Sequence, residues 1–246
     1  MRELKSVVVV PTYNEKENIE ILLEDLLALP LDLSVIVVDD ASPDGTGDLA
    51  DQCAARSAGR VHVIHRAGKL GLGTAYIAGF HRALSLGADR IMTMDADFSH
   101  HPKYIPAIIE LTRECDMVIG SRYLEGGGTL NCTFGRRALS RSANLFAKIT
   151  LGLRARDCTA GFRCYRREVL EGIDLDSIFS DGYSFLIEML YYVQRRGWQI
   201  GEVPIVFEDR LRGKSKISRI EILRALQTVL RLQGHRLRGV SQRGRA

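Results

Sequence analysis

A chain of 246 residues, 46% hydrophobic and 26% charged, can bury a full core and has the composition of an ordinary globular protein. No apolar run approaches the roughly 18 residues a membrane span requires, and the opening five residues lead into a strand with no signal-peptide pattern, so the sequence by itself points to the cytoplasm. The net charge of +4 hides an asymmetry: residues 210–246 carry eleven Lys and Arg against one acid, Glu221, which leaves −6 on the remainder. A basic tail on an acidic body suits nucleic acid, an anionic membrane surface or a phosphorylated ligand.

Val7 to Val10 is a β-branched run stopped by Pro11 and followed by Thr12-Tyr13-Asn14-Glu15, which predicts a central parallel strand. Ile19, Leu22, Leu23, Leu26 and Leu27 then recur at helical spacing. Val35 to Val38 predicts a second buried strand, ending in Asp39-Asp40-Ala41-Ser42-Pro43-Asp44-Gly45. Val61 to Ile64 predicts a third. The turn Ala67-Gly68-Lys69-Leu70-Gly71-Leu72-Gly73 then enters a helix with the apolar face Leu72, Ala75, Tyr76, Gly79, Phe80, Ala83 and Leu84. The turn departs from a dinucleotide fingerprint, because Tyr76 stands where the third glycine belongs and the third strand, not the first, precedes it. Such a turn with a lysine approaches a phosphate or simply reverses the chain.

Ile91 to Asp97 reads as a strand whose tip carries Asp95 and Asp97. Alternating side chains would aim both carboxylates at one point, where a hard divalent cation would offset their repulsion. The competing reading is a turn capping a helix at His101-Pro102. Ile105, Ile108 and Ile109 predict a helix and Met117 to Gly120 a fifth strand, so strand and helix alternate as in a parallel sheet with helices on both faces. Ligands on such sheets bind beyond the strand carboxyl ends, where Tyr13, Glu15, Asp40, Asp95 and Asp97 all fall.

Residues 121–128 read as a mobile loop, and Arg136 to Asn144 as a helix with Arg136 and Ser140 one turn apart. Asp157 to Arg163 is a turn entering a short strand. Leu186, Met189, Leu190 and Val193 mark a helix that also bears Glu188, a candidate partner for an arginine. Ile200 to Phe207 predicts a late strand. The closing stripe Ile222, Leu223, Leu226, Val229 and Leu230 either completes the core or lies on a bilayer. Five cysteines, odd in number and without a C-x-x-C pair, argue against disulfides and a zinc site.

Four stretches together, Val8-Val9-Val10-Pro11-Thr12-Tyr13-Asn14-Glu15, Val37 to Thr46, Met94-Asp95-Ala96-Asp97-Phe98-Ser99-His100-His101-Pro102 and Arg210-Leu211-Arg212-Gly213-Lys214-Ser215-Lys216, resemble the dolichol-phosphate (polyprenol-phosphate) mannosyltransferases of the family 2 inverting glycosyltransferases. The resemblance spans roughly Val7 to Leu232. It implies an α/β GT-A (Rossmann-like) fold with a mostly parallel sheet, as one domain over residues 1–232 ending in an amphipathic helix, with a basic, disordered tail over 233–246. It also implies GDP-mannose as donor, a polyprenyl or dolichyl monophosphate as acceptor and Mg2+ or Mn2+ as cofactor. Pro11, Tyr13, Glu15, Val38 and Asp40 match positions that hold the donor's base and ribose; Asp95 and Ala96 lie along the nucleotide; Asp97 and Ser99 match metal positions. Lys69 of the glycine-rich turn is a further donor-binding candidate, and Asp95 a further metal candidate from its spacing to Asp97. Arg122, Arg136, Ser140, Arg210 and Lys216 match positions near the two phosphates. The pattern departs from relatives at Ser99 (glutamine in some), Cys132 (often tryptophan) and Leu186 (often glutamine).

The expectation is therefore a glycosyltransferase peripheral on the cytoplasmic face of a membrane, with a membrane-spanning partner subunit possible and no nucleic acid. UDP-glucose or another nucleotide sugar as donor, a nonenzymatic anionic-surface binder, and a phosphatase using Asp95 and Asp97 are the alternatives.

Overall fold

The computed structural model describes residues 4–208 and 225–234. A seven-stranded sheet runs in the order β3-β2-β1-β4-β7-β5-β8, built from β1 (Ser6–Thr12), β2 (Leu33–Asp39), β3 (Val61–His65), β4 (Arg90–Thr93), β5 (Met117–Ser121), β7 (Arg163–Arg166) and β8 (Ile200–Pro204). The strands over 6–12 and 33–39 are buried along almost their whole length, as near-continuous apolar runs in a sheet covered on both faces should be. Their period of two sorts the side chains into two cores. Val7, Val9, Ile36, Val38, Ile91 and Ile119 pack with α3 (Leu72–Ser85) and α7 (Tyr183–Arg195). Val8, Val10, Val35, Val37, Met92 and Val118 pack with α1 (Lys16–Leu27), α2 (Thr46–Arg56) and α4 (Ile105–Leu111). On α3, Gly79 is where helix and sheet touch most closely: a Cβ there would lie 2.2 Å from Val9 Cγ1.

The sheet is mostly parallel, as expected; the exception is β7, which enters between β4 and β5 and pairs antiparallel with both. Two features differ from the sequence expectation. The strand expected to reach Asp97 stops at Thr93: the Asp95 N–H turns to the His100 imidazole instead of a neighbouring strand, and Phe98 adopts φ +60°. The late strand is two strands. Pro204, which has no N–H, ends the β8 pairing opposite Ser121, and after Ile205 the chain forms β9 (Val206–Glu208), parallel to β6 (Gly128–Leu130) in a separate two-stranded sheet. Residues 121–128 reach β6 through a turn closed by Gly127 N–H on Leu124 O.

Beyond the sheet lie α5 (Phe134–Leu151), α6 (Arg167–Glu171) and a helix over 225–234, here α8. The closing stripe divides: Val229 is buried in the core with Leu232, whereas Leu226 and Leu230 are exposed. Ile222 and Leu223 lie outside the described residues, as do Arg210, Lys216 and the tail beyond 234. All five cysteines are free thiols, with Cys53, Cys158 and Cys164 buried.

Candidate active site

The acids that crowd the strand ends separate into two kinds. Asp39 accepts from Thr12 Oγ1, Ser42 N–H and Ser42 Oγ, and Asp44 accepts from Lys16 N–H, Thr46 N–H and Thr46 Oγ1, so both are spent on shaping turns and capping helices. Asp40 instead lies against Arg66, whose Nη1 is 2.7 Å from its Oδ1, and it accepts the Leu70 N–H at 3.2 Å. Burial pushes the Asp40 carboxyl above its ordinary range, and Arg66 only partly offsets that. Close by, Lys69 sits over the Tyr13 ring at 4.3 Å, and Glu15 is the residue before α1, with its backbone N–H bonded to Thr46 Oγ1. The Val38 side chain lies wholly in the core and Ala96 is nearly so; these two shape the site from behind rather than offering it a side chain.

The glycine-rich turn is not an empty anion seat. The amino end of α3 already holds an internal carboxylate, since Gly73 N–H donates to Asp181 Oδ1 at 2.9 Å. Tyr76, in the place of a third glycine, is fully buried against Phe80 and Phe185 and brings its hydroxyl to 3.4 Å from Asp95 Oδ1.

A cavity of about 370 Å³ collects Asp95, Asp97, Ser99, Arg122, Arg136 and Ser140, six residues singled out in the sequence from three separate segments. Its polar floor is the 95–100 loop. Asp97 accepts the Ser99 N–H at 3.1 Å, and His100, stacked on Phe162 and edge-on to Phe207, accepts the Asp95 N–H through Nδ1. Burial lowers the His100 pKa against the pull of Asp95 and Asp97, so the ring is a neutral strut. Arg122 is clamped by Asp157: Nε and Nη2 donate to the two carboxylate oxygens at 2.7 and 2.8 Å, and Nη2 also reaches Thr159 Oγ1. Burial opposes ionisation of Asp157, but the hydrogen bonds and charge of Arg122 hold its carboxyl below the usual range. From α5, Ser140 Oγ meets the Tyr123 hydroxyl at 3.1 Å. The remaining wall is mostly apolar, with Leu139, Ala143 and Phe146 of α5, Leu186 and Ile187 of α7, and Leu226 and Val229 of α8, and α5 adds Arg137 and Arg141 to it.

A divalent cation fits the floor on one condition. Among the described residues no group of three or more His, Cys, Asp or Glu side chains could hold a metal unaided. Asp95 and Asp97 nevertheless share the cavity, and the buried Ser99 Oγ finds no hydrogen-bond partner among the described residues. Two carboxylates and a hydroxyl suit an oxygen-seeking ion whose other positions are filled by water and a ligand's phosphates.

His100, Tyr76, Asp157 and Asp181 escape sequence reading because each acts through a contact made only by folding. Asp157 had a faint signal, an acid at the head of a turn beside small residues. Glu188, a candidate partner for an arginine, is held by Phe179 N–H, Ser180 N–H and Ser180 Oγ, with the charge of Arg231 also acting on it.

Acids at the carboxyl ends of a doubly covered sheet, facing a cavity with fixed cations, define a nucleotide-handling α/β domain of the GT-A type. Residues 7–174 match the description "Glycosyl transferase family 2", and the chain belongs to that family. It is 46% identical over 215 residues to an undecaprenyl-phosphate mannosyltransferase of Micrococcus luteus, covering 87% of this chain and 88% of the relative. It is 43% identical over 223 residues to a polyprenol monophosphomannose synthase of Mycolicibacterium smegmatis, covering 90% and 84%. Among solved structures, glucosyl-3-phosphoglycerate synthase of Mycobacterium tuberculosis, in complex with Mn2+, UDP and glucosyl-3-phosphoglycerate, superposes with TM-score 0.67 at 20% identity, over 94% of this chain and 80% of that one. A mannosyltransferase of Pyrobaculum calidifontis in complex with GDP-Man and Mn2+ gives TM-score 0.60 at 16% identity, over 87% and 59%.

Proposed function

We propose that the protein transfers mannose from GDP-mannose to a polyprenyl monophosphate, with inversion at the anomeric carbon and with Mg2+ or Mn2+. The observation that carries this reading is the shape of the cavity: a floor of carboxylates and arginines continues directly into an apolar trough between α5, α7 and α8. An acceptor with a phosphate head and a hydrocarbon tail matches both halves. The relatives' names, an undecaprenyl-phosphate mannosyltransferase and a polyprenol monophosphomannose synthase, support the same acceptor class.

In this reading Pro11, Tyr13, Glu15, Asp40 and Lys69 form the base and ribose side, with Val38 and Ala96 behind them, and Asp95, Asp97 and Ser99 form the diphosphate side. A bound divalent ion supplies Lewis-acid stabilisation of the departing diphosphate. The chain's own residues do the rest. Asp97 and Ser99 set the ion's position, while Arg122, Arg136 and Ser140 draw the acceptor phosphate in and offset its repulsion from the donor. Arg210 and Lys216, outside the described residues, are assigned to the same phosphates from the sequence alone. The acceptor phosphate is already anionic at neutral pH, so attack needs no general base, which agrees with a cavity whose one histidine is a buried strut.

Membrane contact is assigned to α5. No helix among the described residues is long and apolar enough to cross a membrane. Yet α5 buries only Asn144, Ala147 and Leu151 of its eighteen residues, leaves Phe134 80%, Leu145 55% and Ile149 70% exposed, and carries Arg136, Arg137, Arg141 and Lys148 with no acid. A basic helix with exposed apolar side chains fits an anionic lipid surface. The basic tail, to which the sequence assigned docking, is an addition to α5 in this scheme.

The test supplies polyprenyl phosphate and a divalent ion with equal concentrations of labelled GDP-mannose or labelled UDP-glucose. Label from GDP-mannose should enter the lipid phase; label from UDP-glucose alone would overturn the donor assignment and keep the acceptor.

A further inference from the structure

The 66–73 turn is held from two sides. On one, Asp40 takes the Leu70 N–H, and Arg66, beside Asp40, donates to Gly71 O at 3.1 Å and to Thr74 Oγ1. On the other stands Asp181, which belongs to neither the turn nor α3. Its Oδ1 accepts the Gly73 N–H, and the carboxylate presses so closely on Gly71 that a Cβ there would lie 2.2 Å from Oδ2. Gly71 also has φ +105°, which other residues rarely adopt, so both the backbone and the contact require glycine. Between these supports Lys69 is held over Tyr13.

Asp181 is itself mounted rigidly. Glu188, wholly buried on α7, accepts from the backbone N–H groups of Phe179 and Ser180 and from Ser180 Oγ, and Arg231 of α8 covers the Phe179 ring at 3.9 Å. The carboxylate satisfies the amino end of the fourteen-residue α3, so that end needs no ligand anion to be stable.

We infer that Asp181 is a positioning residue for the donor: it fixes the 66–73 turn so that Lys69 and Tyr13 present one preformed face to the nucleoside, without touching the nucleotide itself. This rests on the donor reading of that face. A preformed turn lowers the ordering cost of binding, so its loss should appear in affinity rather than in turnover.

The experiment measures binding of GDP, and in parallel UDP, to the full chain by calorimetry, together with steady-state kinetics, for wild type, Asp181→Ala, Asp181→Asn and Gly71→Ala. Asp181→Ala should raise the nucleotide Kd and donor KM about tenfold, with kcat at saturation within about twofold. Asp181→Asn keeps an acceptor oxygen for Gly73 and should stay within about threefold of wild type. Gly71→Ala should weaken binding in the wild-type background and by a smaller factor alongside Asp181→Ala, because the contact it disrupts is then gone. Unchanged Kd in Asp181→Ala, a loss confined to kcat, or a fully additive Gly71 effect would overturn the inference. Wild type preferring UDP would overturn the donor assignment instead, and the Asp181 comparison is then read in the UDP series.

Discussion

Replacing Asp157 by alanine isolates the clamp that holds Arg122 at the cavity. The Arg122 side chain is 12% exposed and Asp157 is fully buried, so solvent screens little of their interaction. Removing one partner of such a pair leaves a buried charge uncompensated, at a cost of about 3–5 kcal/mol. For a chain of this size each kcal/mol lowers Tm by about 2–4 °C, so the variant should melt roughly 6–20 °C lower. Arg122→Ala with Asp157→Ala removes both charges and should be less destabilised than the sum of the single variants, with a coupling of about 2 kcal/mol. The pH dependence carries a sign. Arg122 depresses the Asp157 pKa, so this contribution is fully present above the ordinary carboxylate range and is lost as pH falls through the lower folded value. Wild type should show that acid limb and Asp157→Ala should lack it. Turnover in Asp157→Ala, measured below its melting range, should drop about a hundredfold as Arg122 loses its set direction. Denaturant titration and lipid-phase label give both readouts. A cost under about 1 kcal/mol, or additive single variants, would refute the clamp.

Asp97→Asn should keep the wild-type melting curve and lose most turnover, because an amide draws a divalent ion poorly; unchanged activity with an unchanged metal requirement would remove Asp97 from the metal site. Leu145→Glu combined with Ile149→Glu should weaken co-sedimentation with anionic vesicles about tenfold and leave GDP affinity intact, whereas truncation after Leu232 should cost less; the reverse order would return docking to the tail. Burial holds the His100 pKa below its ordinary 6.5, so the unfolded chain takes up a proton there first and stability declines as pH falls below about 6.5. His100→Asn should flatten that slope, and an identical slope in both proteins would show that the ring is not the group responsible.

The strands legible in the sequence were those whose identity is local: Val7 to Val10 and Val35 to Val38 are uniformly buried apolar runs and fold as read. The short strand that begins at Arg163 was legible, but its antiparallel place between β4 and β5 was not, because strand order is set by long-range pairing and not by the local pattern. Arg163 itself is fully buried and donates to the carbonyls of Cys158, Ala160 and Leu186, a use that no local pattern announces. The site shows the same division. Asp95, Asp97, Arg122, Arg136 and Ser140 carry chemistry in their residue types and meet in one cavity. Asp157, His100 and Asp181 matter through the partner each holds, and those partners lie 35, 5 and 108 residues away along the chain. The glycine-rich turn left two readings open, a phosphate seat or a simple reversal of the chain, and only the fold shows that an internal carboxylate occupies the helix end.

The proposed acceptor is a lipid phosphate seated between α5 and α8. That assignment is tested most directly by supplying labelled GDP-mannose and a divalent ion with equal concentrations of polyprenyl phosphate and the water-soluble 3-phosphoglycerate, then partitioning the products between organic solvent and water. Label should appear in the organic phase and be lost when Leu186→Arg or Phe146→Arg places a charge in the trough. Label carried instead by phosphoglycerate in the aqueous phase would contradict the assignment.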